Sequence, residues 1–101
     1  MAILHLNREN FEEAIASNEV IVVDFWAQWC GPCRMLGEVL EELNHTNPNL
    51  VIGKVNVDEE KALTMQVGIR SIPQIFIFKN GTMVKNISGY VPAEVILEAL
   101  K

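Results

Sequence analysis

The run Val20-Ile21-Val22-Val23-Asp24-Phe25-Trp26-Ala27 leaves this chain few options. It is apolar at every position but one and rich in β-branched side chains, so it reads as a strand covered on both faces. Alternating strand and helix patterns supply the cover. Residues 3–6 suggest a short strand, and Asn7 can cap a helix over 8–17 that turns Phe11, Ala14 and Ile15 inward. Leu50–Val57 repeats the pattern of a buried strand, and Asp58 can cap a helix over 59–66. Gln74–Phe78 and Met83–Ser88 flank Asn80-Gly81, the strongest short hairpin signal. Pro92–Leu100 closes the chain with a helix whose Val95, Ile96 and Leu100 face inward. The fold class is α/β with a mixed sheet, in one domain over residues 1–101.

The segment after the first buried strand is more informative still. Beyond Pro32, the apolar positions Leu36, Val39, Leu40 and Leu43 fall at i, i+3, i+4 and i+7, one face of a helix that runs to about His45 and ends at Asn47-Pro48. The chain's two cysteines, Cys30 and Cys33, therefore lie where a buried strand turns into a helix. Pro32 suits the first helical turn, where its missing N–H is harmless. Cys30 falls at or near the N-cap and Cys33 one turn inside. Free backbone N–H groups and the positive end of the helix dipole meet there, and they stabilise a thiolate, the form that attacks. Residues three apart on such a turn also place their Cα atoms within the roughly 4.4–6.8 Å that a disulfide accepts. One spacing thus supplies a nucleophile and a resolving thiol.

Two other uses of the pair are weaker. As a structural staple, a bond across so short a loop contributes only about 2 kcal/mol, against roughly 3 for a 15-residue loop. As a zinc site the pair lacks partners. His45 lies twelve residues after Cys33, but no second histidine follows at finger spacing, and His5 is the only other one. Both histidines read as ordinary surface residues, and no metal is expected.

Charge narrows the partners. Residues 1–50 carry eight acids and two bases, and residues 51–101 five acids and six bases, for a net charge of −5. An acidic half with no basic patch repels phosphate, so no nucleic-acid partner is expected. The longest clean apolar runs, Val20–Val23 and Ile75–Phe78, are four residues long, far below the roughly 20 of a membrane helix. The first 15 residues hold six charged or amide side chains besides His5, unlike a secretory leader. No membrane association and a cytoplasmic location are expected.

The segment Val23-Asp24-Phe25-Trp26-Ala27-Gln28-Trp29-Cys30-Gly31-Pro32-Cys33 resembles the active-site segment of the thioredoxin family. Three further matches stand in order along the chain: Lys54-Val55-Asn56-Val57-Asp58, Gly68-Ile69-Arg70-Ser71-Ile72-Pro73 and Phe78-Lys79-Asn80-Gly81, with Gly89 fitting a glycine near the end of strand five. The resemblance spans essentially the whole chain. It implies a three-layer α/β/α fold with a five-stranded sheet and four helices, and a Cys30–Cys33 dithiol that reduces disulfides in other proteins. It implies a cis bond before Pro73, which then borders the disulfide. Partners would be protein disulfides and a separate thioredoxin reductase. No cofactor is expected, since no flavin or nicotinamide fingerprint is present, and the chain is expected to act as a monomer.

The resemblance also implies roles. Cys30 attacks, Cys33 resolves, and Gly31 and Pro32 tune the potential. Trp29, Ile72, Pro73, Gly89 and Tyr90 form a substrate surface, with Trp26 packing beside the site. Asp24 has two readings: a carboxylate hydrogen-bonded into the sheet, or a proton acceptor for Cys33. Burial should raise its pKa, which suits the second. Lys54 either pairs with it or is a solvated strand-end lysine. For Trp29 the bland alternative is a buried core aromatic. The chain departs from the family's usual pattern at Glu38, which replaces a helix-bending proline and comes after Gly37. It also departs at Arg34 in place of lysine, Gln74 in place of threonine, and Tyr90 in place of a smaller residue. An oxidant or isomerase of an exported compartment is argued against by Gly31-Pro32, and redox titration decides it. A binding module with an incidental dithiol would keep its function as a Cys30/Cys33 double serine variant.

Overall fold

The computed structural model describes residues 2–101. Its elements run β1 (Ala2–His5), α1 (Phe11–Ala16), β2 (Val20–Trp26), α2 (Gly31–Thr46), β3 (Val51–Asn56), α3 (Lys61–Val67), β4 (Gln74–Lys79), β5 (Thr82–Ser88) and α4 (Ala93–Leu100). The five strands form one sheet in the order β1-β3-β2-β4-β5. β1 and β2 pair parallel with β3, whereas β4 runs antiparallel to both β2 and β5, so the sheet is mixed. The β4–β5 connection turns on Asn80 and Gly81, both at positive φ (52° and 83°), the conformation that a two-residue hairpin requires.

β2 is central, and its side chains alternate between two cores. Ile21, Val23 and Phe25 pack with Phe11 and Ala14 of α1, Leu63 of α3, Val55 and Phe76. Val22 faces the opposite side, where Leu36, Leu40 and Leu43 of α2 and Ile96 of α4 pack with Ile52, Ile75 and Ile77. Helices thus cover both faces, and the three-layer α/β/α reading holds. Among the described residues no helix is long and apolar enough to cross a membrane.

Three local expectations are corrected. α1 begins at Phe11 rather than residue 8, because Asn7 and Asn10 bind each other instead. Asn7 Oδ1 accepts from the N–H of Glu9 (2.9 Å) and Asn10 (3.0 Å), while Asn10 Oδ1 accepts from Asn7 N–H (2.7 Å). One isolated turn, closed by Phe11 N–H to Asn7 O (3.0 Å) and capped by these side-chain bonds, therefore precedes the regular helix. α3 begins at Lys61 rather than 59, for the same kind of reason. Asn56 Oδ1 accepts from the N–H of Asp58 (2.9 Å) and Glu59 (3.2 Å), so Asp58 does not cap the helix. In α4 only Ile96 is fully buried, and Val95, expected inside, stays 41% exposed. The packed face of α4 runs through Ala93, Ile96, Ala99 and Leu100, at helical spacing, against α2 and the sheet, so Val95 and Leu97 fall on its flanks.

Candidate active site

β2 delivers the chain to the start of α2 through a tight bend in which Cys30 N–H donates to Ala27 O (3.2 Å). Cys30 is the N-cap of α2, in extended conformation (φ −92°, ψ 109°), and its Sγ accepts from Cys33 N–H at 3.2 Å. Sulfur thus takes the place of the oxygen that a Ser or Asp cap would offer. Gly31 and Pro32 form the first helical positions. Cys30 and Cys33 are joined by a disulfide with Cα atoms 5.2 Å apart. Cys30 keeps 6% of its surface and Cys33 1%, so the leading cysteine is the more accessible, though more enclosed than an open helix terminus suggests. Ala27, Trp26, Val57 and Ile72 pack against the pair.

Asp24 is fully buried in the middle of β2. By strand alternation it shares the face of Val22, beneath α2. Burial raises its carboxyl pKa from the ordinary 3.8 to about 6, against the opposing pull of the Lys54 ammonium. Lys54 is its register partner on β3, with Nζ 3.4 Å from Asp24 Oδ2. Neither carboxylate oxygen has a hydrogen-bond partner, so the reading of an Asp hydrogen-bonded into the sheet is corrected. The reason is positional: the backbone groups around Asp24 are committed to the ladders with β3 and β4. The Lys54 side chain is 17% exposed, and its Nζ lies 5.1 Å over the Trp26 ring. It also lies so close to α2 that a Cβ at Gly37 would sit 3.4 Å away. Lys54 and Trp26 border a cavity of about 130 Å³ whose rim includes His5, Asn56, Glu59 and Glu60.

Trp29 is 69% exposed, not a core aromatic. Its Nε1 donates to Asp58 Oδ2 at 2.8 Å. Its ring borders a shallow cavity of about 210 Å³ with Val57, Thr64, Ile69, Arg70, Ser71 and Ile72. The Ile72–Pro73 bond is cis, and Pro73 O accepts from Gly89 N–H (2.8 Å), with Gly89 at φ 84°. Tyr90 is exposed beside Gly89 and does not line the Trp29 cavity; nor do Pro73 and Gly89. At the departures from the family pattern, Arg34 Nη1 donates to Gln28 O (3.0 Å), and Gln74 Nε2 hydrogen-bonds Asn86 Oδ1 across β4–β5. Glu38 is exposed on an α2 that runs unbroken.

The structure therefore brings Cys30, Cys33, Trp26, Val57 and Ile72 together, and Asp24 with Lys54. The sequence reading missed Asp58 as a partner of Trp29. A signal was present: Trp26 and Asn56 are register partners, so the residues just past each leave the sheet at the same end. Among the described residues no three His, Cys, Asp or Glu side chains converge as a metal site would need.

A cysteine pair joined at a helix start, next to an exposed indole, is equipped for two-electron exchange with another disulfide. The thioredoxin family model matches residues 2–101. A thioredoxin of Alicyclobacillus acidocaldarius is 47% identical over 94 residues, covering 92% of this chain and 90% of that one. A thioredoxin of Haemophilus influenzae is 42% identical over 92 residues, covering 89% and 86%. Among solved structures, a point-mutant thioredoxin from Halobacterium salinarum superposes with a TM-score of 0.87 at 30% identity, covering 96% of this chain and 86% of that one. Plasmodium falciparum thioredoxin gives 0.85 at 32% identity, covering 99% and 97%.

Proposed function

The chain belongs to the thioredoxin family of thiol–disulfide oxidoreductases, and from that premise we propose how its residues divide the work of reducing disulfides in other proteins. A target docks against Trp29, Ile72, Pro73 and the Gly89-Tyr90 segment. In the reduced protein the Cys30 thiolate, favoured by the α2 N-terminus, attacks one sulfur of the target disulfide. That bond breaks, a mixed disulfide with Cys30 forms, and the other target sulfur leaves as a thiolate that takes a proton from water. Asp24, directly or through water, accepts the proton of Cys33. The Cys33 thiolate then attacks Cys30 Sγ, and the second target sulfur leaves. Two electrons have passed to the target, and the protein is left with the Cys30–Cys33 disulfide. Gly31 and Pro32 tune the couple through the shape of the first turn, Lys54 holds the charge of Asp24, and Trp26 packs beside them.

The observation that carries this reading is the Cys30–Cys33 bond at the start of α2, with the leading cysteine the less buried of the two. A separate reductase returns two electrons per cycle. The reading includes a single-chain working unit in the cytoplasm, where a reducing compartment keeps the dithiol charged. The test is reduction of insulin disulfides. Cys30→Ser abolishes turnover, whereas Cys33→Ser accumulates a covalent mixed disulfide visible on a non-reducing gel. Turnover retained in Cys30→Ser overturns the assignment.

A further inference from the structure

We infer that Gln74 and Asn86 are positioning residues, a side-chain clamp that holds the Gly89-Tyr90 segment against Pro73 so that this part of the docking surface is formed before a target arrives. The inference rests on the docking role proposed for that surface. Gln74 opens β4 directly after Pro73, and its Nε2 donates to Asn86 Oδ1 on β5. Gln74 stands opposite Ser88 and Asn86 opposite Phe76, so the two side chains lie diagonally on one face of the hairpin, within reach of long side chains. The threonine usual in the family has a shorter side chain, so the diagonal reach comes from the glutamine.

β5 needs such a clamp. It is an edge strand paired with β4 alone, and along its length only Ile87 is half-buried, packed on the α2 and α4 side of the core. A register shift between Ile77 and Phe78 separates the hairpin turn from the docking end, so the turn at Asn80-Gly81 does not by itself fix where β5 finishes. Beyond Ser88, the bond from Gly89 N–H to Pro73 O (2.8 Å) ties the emerging chain to the site. Strand ends with little packing open locally at small cost. The clamp grips both strands just before that bond, through the neighbour of Pro73 on β4 and through Asn86 on β5. With the clamp made, Pro73 and Gly89 keep their spacing while a target binds. Without it, the end of β5 must be ordered on docking, which weakens affinity and leaves the cysteine pair at the start of α2 untouched.

The test mixes prereduced full-length protein with rising concentrations of insulin, or with the small aromatic disulfide 5,5′-dithiobis(2-nitrobenzoate). Insulin reactions are quenched with an alkylating reagent and the oxidised fraction of the protein is read by mass. Gln74→Ala and Asn86→Ala are each expected to raise the half-saturating insulin concentration about 2- to 5-fold, and the double alanine variant no more than either single one. Saturating and small-disulfide rates should stay within about twofold of the parent. Asn86→Asp keeps an acceptor for the Gln74 amide, and in Gln74→Glu the Asn86 amide can turn to donate, so each is expected to keep the parent value. The two acidic substitutions combined leave no donor and should match the alanine variants. Amide exchange at Gly89 should quicken in the alanine variants and the double acidic variant, and not in the single acidic ones. Unchanged half-saturation in both alanine variants overturns the clamp, as do additive losses or single acidic variants that behave like alanine. A small-disulfide rate that falls in step with insulin affinity also overturns it, since the pair would then act on the sulfur chemistry. If the parent reduces neither compound, the reductase reading falls, and exchange at Gly89 still reports on the clamp.

Discussion

Asp24 is a carboxylate buried where an ionised group is poorly solvated, and its elevated pKa has a thermodynamic consequence. The folded pKa of about 6 lies above the ordinary 3.8, so between those values the folded state binds more protons than the unfolded. Stability must then fall as pH rises through that window and stay reduced above it. The gap corresponds to about 3 kcal/mol, already net of the favourable pull of Lys54. Asp24→Asn is therefore expected to be more stable than the parent at pH 8 by about 2–3 kcal/mol, with the advantage vanishing below about pH 4. Urea unfolding at the two pH values checks it, and equal stability at pH 8 would refute the burial argument. The same variant should resolve a Cys30 mixed disulfide more slowly at pH 7, since the acceptor for the Cys33 proton is gone.

Elements carry a different kind of information. β2 and α2 are legible because each is consistent along its length: an unbroken apolar run, then a clean i, i+3, i+4, i+7 face closed by Asn47-Pro48. α4 is ambiguous because Val95, Ile96 and Leu97 are consecutive. They cover most of the helix circumference, and local sequence cannot choose which of them meets the sheet. The structure chooses Ile96. Ile96→Ala should cost about 2–4 kcal/mol in urea unfolding, whereas Val95→Ser should stay within about 0.5 kcal/mol. Comparable losses at the two positions would show that α4 is docked by a different face. Helix starts misled for a related reason. Asn7 and Asn10, then Asn56 and Asp58, all have side chains able to bind nearby N–H groups, and which bonds form depends on where the chain leaves the sheet.

At the scale of the whole molecule, the redox couple and the fold are linked by mass action, since the disulfide restricts the unfolded chain. Closing so short a loop is worth about 2 kcal/mol, so the oxidised protein should outlast the reduced one in urea by that amount. Parallel titrations with and without dithiothreitol measure it, and a reduced form that is the more stable would contradict the loop argument. Local pattern was enough for the α/β class, the central strand and the placing of both cysteines at the start of a helix. Those depend on hydrophobic period, proline and turn chemistry acting within a few residues. It took the folded arrangement to bring Trp29 to Asp58, 29 residues away, and to let Lys54 reach Asp24, Trp26 and the flank of Gly37 at once. Folding also left the Asp24 carboxylate with the Lys54 ammonium as its polar partner and no backbone donor. Such pairings exist only once packing has set the strand order β1-β3-β2-β4-β5, because contact between distant residues is a property of that order and not of any local pattern.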